Sequence, residues 1–113
     1  MIQAVINRSK TDEIQSFEIS GHAFFAERGK DIVCAGVSAV SVGAVNAIHE
    51  LTGVVPELDY DSGLLRCVIP DNLPEDTSRK IQILLEGMVV ALRTIELDYR
   101  KHINITFKKQ EVE

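Results

Sequence analysis

The stretch Gly21 to Val40, GHAFFAERGKDIVCAGVSAV, places one histidine, His22, a short loop ahead of one cysteine, Cys34, at a point where a helix should begin. A thiol at a helix N-terminus feels the positive end of the helix dipole, which favours the thiolate. An imidazole folding back onto that thiol makes a Cys–His pair, the minimum equipment for covalent acyl transfer. The amides of Cys34 and Ala35 belong to the first helical turn, whose N–H groups lack helical partners. Donors so placed can stabilise the oxyanion of a tetrahedral intermediate. In this scheme Cys34 is the nucleophile and His22 is the base and proton donor. The competing readings are a small buried core cysteine and a solvated loop histidine. Their pairing at one edge favours the chemistry.

Other positions nearby could support the pair. Asp31 is either the N-cap of the helix, bonding the amide of Cys34 or its neighbour, or a third catalytic member that orients His22. A carboxylate this close opposes the thiolate, and the cap is the preferred reading. Ser38, one turn below Cys34, can bond toward the thiol or back to a helix carbonyl, the second being the commoner fate. Gly21 and Gly29 bracket the segment from His22 to Arg28 as hinges of a mobile lid, or they are ordinary turn glycines. Phe24 and Phe25 on that segment either close over a substrate or tuck into the core.

The elements that must position these groups follow from periodicity. Ile2 to Arg8 alternates, with Ile2, Ala4 and Ile6 on one face. After a turn at Ser9 to Asp12, Glu13 to Ser20 continues as a strand carrying Phe17 and Ile19 inward, so the two form a hairpin. Asp31 starts a helix to about Leu51, with Val33, Val37, Val40, Ala44, Ile48 and Leu51 on its inner face, and Gly53 ends it. Its other face is Ala, Gly and Ser, which marks a helix buried on more than one side. Val54 to Tyr60 and Leu64 to Ile69 form a second hairpin across Asp61-Ser62-Gly63. Cys67 lies on the inner face of that hairpin's second strand. After Pro74, an amphipathic helix carrying Ile81, Leu84, Leu85, Met88, Val89, Leu92 and Ile95 runs to about Tyr99. His102 to Lys108 closes the chain as a strand, with Ile103, Ile105 and Phe107 inward. The expectation is one α+β domain over residues 1–113, a sandwich in the order β-β-α-β-β-α-β, with two helices on a mostly antiparallel sheet.

Composition bounds the function. The 113 residues carry a formal net charge of −5, which disfavours binding to nucleic-acid phosphates and favours a basic protein partner. Two cysteines do not make a secreted disulfide scaffold, and reduced thiols in a cytoplasm are the simpler reading. The N-terminus lacks the pattern of a signal peptide. The apolar run Ile32 to Ile48 is slightly short for a membrane span and reads as a buried helix. Widely spaced His and Cys residues give no zinc signature, and neither a P-loop nor a GxSxG elbow occurs. No cofactor is expected.

GHA, a loop ending in Gly29, and then DIVCAGVSA resemble the Prp family of ribosomal-processing cysteine proteases. VNAI, the second hairpin and the helix ending LRTIELDY are also similar to that family, so the resemblance spans nearly the whole chain. It implies a cytoplasmic, dimeric, metal-free enzyme that trims the N-terminal extension of large-subunit ribosomal protein twenty-seven. It implies cleavage after a Phe-Phe pair and before a small residue, with His22 as base and Cys34 as nucleophile. The family motif also covers Gly21, Asp31 and Ser38. Phe24-Phe25-Ala26 resembles such a cleavage site, so the loop is expected to mimic substrate in the resting enzyme. Two rivals remain: a non-catalytic ribosome-assembly factor that binds a basic ribosomal protein, and a redox-sensing thiol.

Overall fold

The computed structural model describes residues 1–110. Its elements are β1 (Ile2–Arg8), β2 (Ile14–Ser20), α1 (Ile32–Thr52), β3 (Glu57–Asp61), β4 (Leu64–Val68), α2 (Glu75–Tyr99) and β5 (Ile103–Lys109). This is the expected α+β order. The five strands form one sheet in the order β3-β4-β2-β1-β5. Pairing is antiparallel except between β1 and β5, which run parallel; α2 carries the chain from β4 across the sheet to β5.

Alternation decides which sheet face the helices cover. Ile2, Ala4 and Ile6 of β1, Phe17 and Ile19 of β2, and Leu65 and Cys67 of β4 form one buried layer. Val33, Val37, Ala44, Val45 and Ile48 of α1 pack into the same core as Ile81, Leu85, Met88, Val89 and Leu92 of α2. The two helices lie side by side, and a Cβ on Gly36 would sit 3.6 Å from Ile95 Cδ1. α1 is long and apolar enough to cross a membrane by length and composition, but the residues just named put one whole side of it inside the protein core.

Several local expectations change. Leu51 is 67% exposed and Val40 only half-buried, because the helix turns these positions off the core. Ser41 takes the inner place instead, its hydroxyl satisfied by donating to Val37 O at 2.7 Å. β3 begins at Glu57 rather than Val54 and is exposed along its whole length, as an edge strand. His102 precedes β5 rather than opening it. Phe107 is not inward: its exposed ring lies under the guanidinium groups of Arg8 and Arg93. Arg8 in turn makes a two-pronged pair with Glu86 at 2.7 and 2.8 Å, tying β1 to α2.

Candidate active site

α1 begins where Asp31 makes it begin. The Asp31 backbone is extended (φ −87°, ψ 102°), and its Oδ1 accepts the amides of Val33 and Cys34, both at 3.0 Å. The other oxygen, Oδ2, accepts the amides of Phe25 at 2.9 Å and Ala26 at 3.3 Å. One carboxylate therefore caps the helix and clasps the preceding loop. Partial desolvation pushes the Asp31 carboxyl upward, but the amides of Cys34, Phe25, Ala26 and Val33 outweigh it and hold the group below its ordinary value. Among the described residues Asp31 makes no bond to His22; what it does here is cap the helix and clasp the loop.

This geometry also corrects the expected oxyanion donors. The Cys34 amide is taken by Asp31 Oδ1, and the Ala35 amide donates to the Asp31 carbonyl at 3.0 Å. Neither is free in this state. The N–H that faces the sulfur instead is that of Ala23, which donates to Cys34 Sγ at 3.3 Å. Ala23 is buried, and its carbonyl lies 2.9 Å from His102 Nδ1, so both ends of the residue are held.

His22 leaves β2 just past Gly21, at the edge where α1 starts. Its exposed ring lies between Phe24, edge-on at 6.1 Å between centroids, and Gly63 of the β3–β4 turn. No hydrogen bond joins His22 to Cys34 among the described residues. Both side chains line the same two adjoining clefts, with Ser38 as a third shared wall. One cleft, of about 640 Å³, opens under the loop against Phe24, Arg28 and Ile32. The other, of about 130 Å³, runs between α1 and the second hairpin, against Val42, Tyr60 and Leu65. A chain laid across both would pass over the thiol.

The remaining predicted residues are distributed as follows. Ser38 is exposed and bonds neither the thiol nor a carbonyl among the described residues; the helix back-bond belongs to Ser41. Gly21 is no free hinge. Its amide donates to Gly63 O at 2.9 Å, and at φ +83° a Cβ there would lie 2.6 Å from Met1 O. Gly29, at φ +87°, has open space around it. Phe24 adopts a positive φ of 54° and is 76% exposed. Phe25 neither covers the thiol nor enters the core; it packs edge-on against Tyr99 and His102 at 5.4 and 5.3 Å. Cys67 is fully buried, and desolvation pushes its thiol up to about 11, so it offers Cys34 no resolving partner.

Sequence reasoning missed Ala23, His102 and Gly63. An alanine amide and a glycine carry no chemical signature of their own. His102 could have been found only by knowing that α2 returns the chain to the start of β1, where the His102 carbonyl accepts the Ile2 amide at 2.9 Å.

The chain is similar to known proteins along nearly its whole length. The family model described as cysteine protease Prp matches residues 1–104. The ribosomal processing cysteine protease Prp of Bacillus subtilis is 50% identical over 108 residues, covering 94% of this chain and 96% of the relative. Its namesake from Staphylococcus aureus strain Mu50 is 37% identical over 112 residues, covering 96% of this chain and all of the relative. A crystal structure of the essential ribosomal processing protease Prp from S. aureus, in complex with a covalently linked product peptide, superposes with a TM-score of 0.86. It is 36% identical in sequence and covers 96% of this chain and 100% of that one. A second S. aureus structure, in complex with a substrate peptide, gives a TM-score of 0.82 at 35% identity, with the same coverage. On these matches the chain belongs to the cysteine protease Prp family.

Proposed function

We propose that this protein is a cytoplasmic cysteine endopeptidase with a Cys34–His22 dyad. Its proposed substrate is large-subunit ribosomal protein twenty-seven, whose N-terminal extension it removes by cutting after a Phe-Phe pair. The observation that carries the reading is the Cys34 thiol at the head of α1, with the Ala23 amide aimed at its sulfur and His22 on the same cleft. The S. aureus relative bound to a covalently linked product peptide supports a covalent route.

Substrate draws His22 and Cys34 into contact, as apo sites commonly require. His22 takes the thiol proton, and the sulfur bonds to the scissile carbonyl carbon. The C=O π pair moves to oxygen, and as the thiolate becomes the thioether sulfur of this tetrahedral intermediate the Ala23 amide is released to the neighbouring oxyanion, the α1 dipole acting in the same sense. The intermediate collapses with loss of the C–N bond, and His22 hands its proton to the departing amine. Water, deprotonated by His22, then cleaves the thioester and restores the thiol.

Acidic Glu57, Asp59 and Asp61 on the exposed edge strand and the net charge of −5 suit a basic tail downstream of the cut. The same charge disfavours direct nucleic-acid binding. A homodimer is supported by the outer face of α1, where exposed Ile32, Ala35, Ala39 and Gly43 present small and apolar groups.

The test is a peptide spanning a Phe-Phe/Ala junction with a basic tail, read by mass spectrometry. A single cut after the second Phe, absent for Cys34→Ala although that variant still binds, is expected. Binding by both proteins with cleavage by neither would replace the protease by a non-catalytic assembly factor.

A further inference from the structure

We propose that Gly63, at the tip of the β3–β4 turn, is a positioning residue for His22, its missing side chain forming the seat in which the imidazole rests. A Cβ built on Gly63 would lie 2.9 Å from His22 Nε2 and 3.4 Å from Cε1. Real side chains do not tolerate the first distance, so any other residue displaces the ring. The seat is itself fixed. Gly63 O accepts the Gly21 amide at 2.9 Å, and Gly21 abuts Met1 O so closely that it too excludes a Cβ. Start of β1, end of β2 and turn of the second hairpin therefore converge on one histidine. The pairing of β2 with β4, which sets Ser20 opposite Leu64, brings the turn there.

The consequence is a requirement on the imidazole and not only on the backbone. Gly63 has a φ of +75°, which alone favours glycine. Gly53 provides the matched comparison: it ends α1 at φ +76°, and a Cβ there meets nothing within 4 Å. Gly53→Ala carries the same backbone strain without touching His22.

The inference rests on His22 as the base, and the experiment separates the two ideas. In the Cys34→Ala background, the Cε1 proton of His22 is followed by NMR through a pH titration, with Gly63→Ala, Gly63→Asn and Gly53→Ala compared. Asn tolerates positive φ while adding a Cβ, so it carries the test if the alanine variant does not fold. Both Gly63 variants should move the His22 resonance, and Gly53→Ala should leave it in place. With active Cys34 and the junction peptide, Gly63→Ala or Gly63→Asn should lower kcat on the order of tenfold with KM little changed, as a shift of a few tenths of an ångström in a reacting group implies. An unchanged His22 resonance in the Gly63 variants overturns the seat, as does an equal loss of kcat in Gly53→Ala. The NMR result stands even if the wild type cuts no peptide, which would count against the protease reading alone.

Discussion

At the scale of single residues, Asp31 does two jobs with two oxygens. Replacing it by Asn keeps an acceptor for the amides of Val33 and Cys34, so α1 stays capped. It also turns an NH2 toward the amides of Phe25 and Ala26, setting donor against donor. Asp31→Asn should therefore fold normally while the loop amides of Phe25 and Ala26 exchange faster with deuterium; unchanged protection would show that other contacts hold the loop. The pH dependence follows from the depressed carboxyl. A group whose folded pKa lies below its unfolded value of about 3.9 contributes fully above that value. Its contribution disappears as pH falls through the folded value. Loop protection in the wild type should accordingly be constant near neutrality and collapse only in strongly acid solution. That His22 and Cys34 would come to one edge was legible in the sequence, because a histidine after a strand and a cysteine at a helix start stand out by type, and both line the same clefts. The role of Asp31 was half legible: its cap is a local pattern, whereas its grip on the loop depends on where the chain folds back.

At the scale of elements, the loop from His22 to Lys30 is docked by the Ala23 amide on the thiol, the Ala23 carbonyl on His102, Phe25 on Tyr99 and His102, and the Phe25–Ala26 amides on Asp31. Phe24 stands free and exposed beside the His22 ring. Replacing both Phe24 and Phe25 by Ser removes the aromatic docking and any likeness of the loop to a cut site. Measured on the junction peptide, affinity and turnover should both change, with tighter binding if the loop competes with substrate. Identical values would end the idea of a substrate-like resting loop. Strands β1, β2 and β4 and both helices were readable from periodicity, because each buries one regular face against one core. The start of β3 was not, since Val54 and Val55 carry strand-like residues but extend beyond the length of edge that β4 can pair. Nor was the contact of Gly63 with His22, which arises only when β2 and β4 become neighbours. Periodicity tells which way a side chain faces; it does not tell which distant turn it will meet.

At the scale of the whole molecule, α1 divides its surface unequally. One side fills the core, while the other offers Ala39 and Gly43 to solvent, continuing the apolar strip of Ile32 and Ala35 that walls the larger cleft. An exposed apolar strip on a helix is a candidate association surface. A twofold interface is self-complementary, so two copies of one small-residue helix can approach closely. Gly43 isolates this from folding, because a Cβ there would meet nothing of its own chain. Gly43→Glu should leave the fold intact at the modest helix-propensity gain that replacing Gly brings. Across a dimer axis it would set like charges in a closely packed seam. Sedimentation should then show the wild type as a dimer at micromolar concentration and Gly43→Glu as a folded monomer. A wild type that sediments as a monomer would remove the dimer, and a Gly43→Glu protein that remains dimeric would move the interface away from α1. Because the same helix carries Cys34 at its N-terminus, comparing peptide cleavage by the two species also shows whether each copy works alone. Equal turnover per chain is the expected result, since the groups facing the thiol, Ala23 and His22, come from the same chain as Cys34.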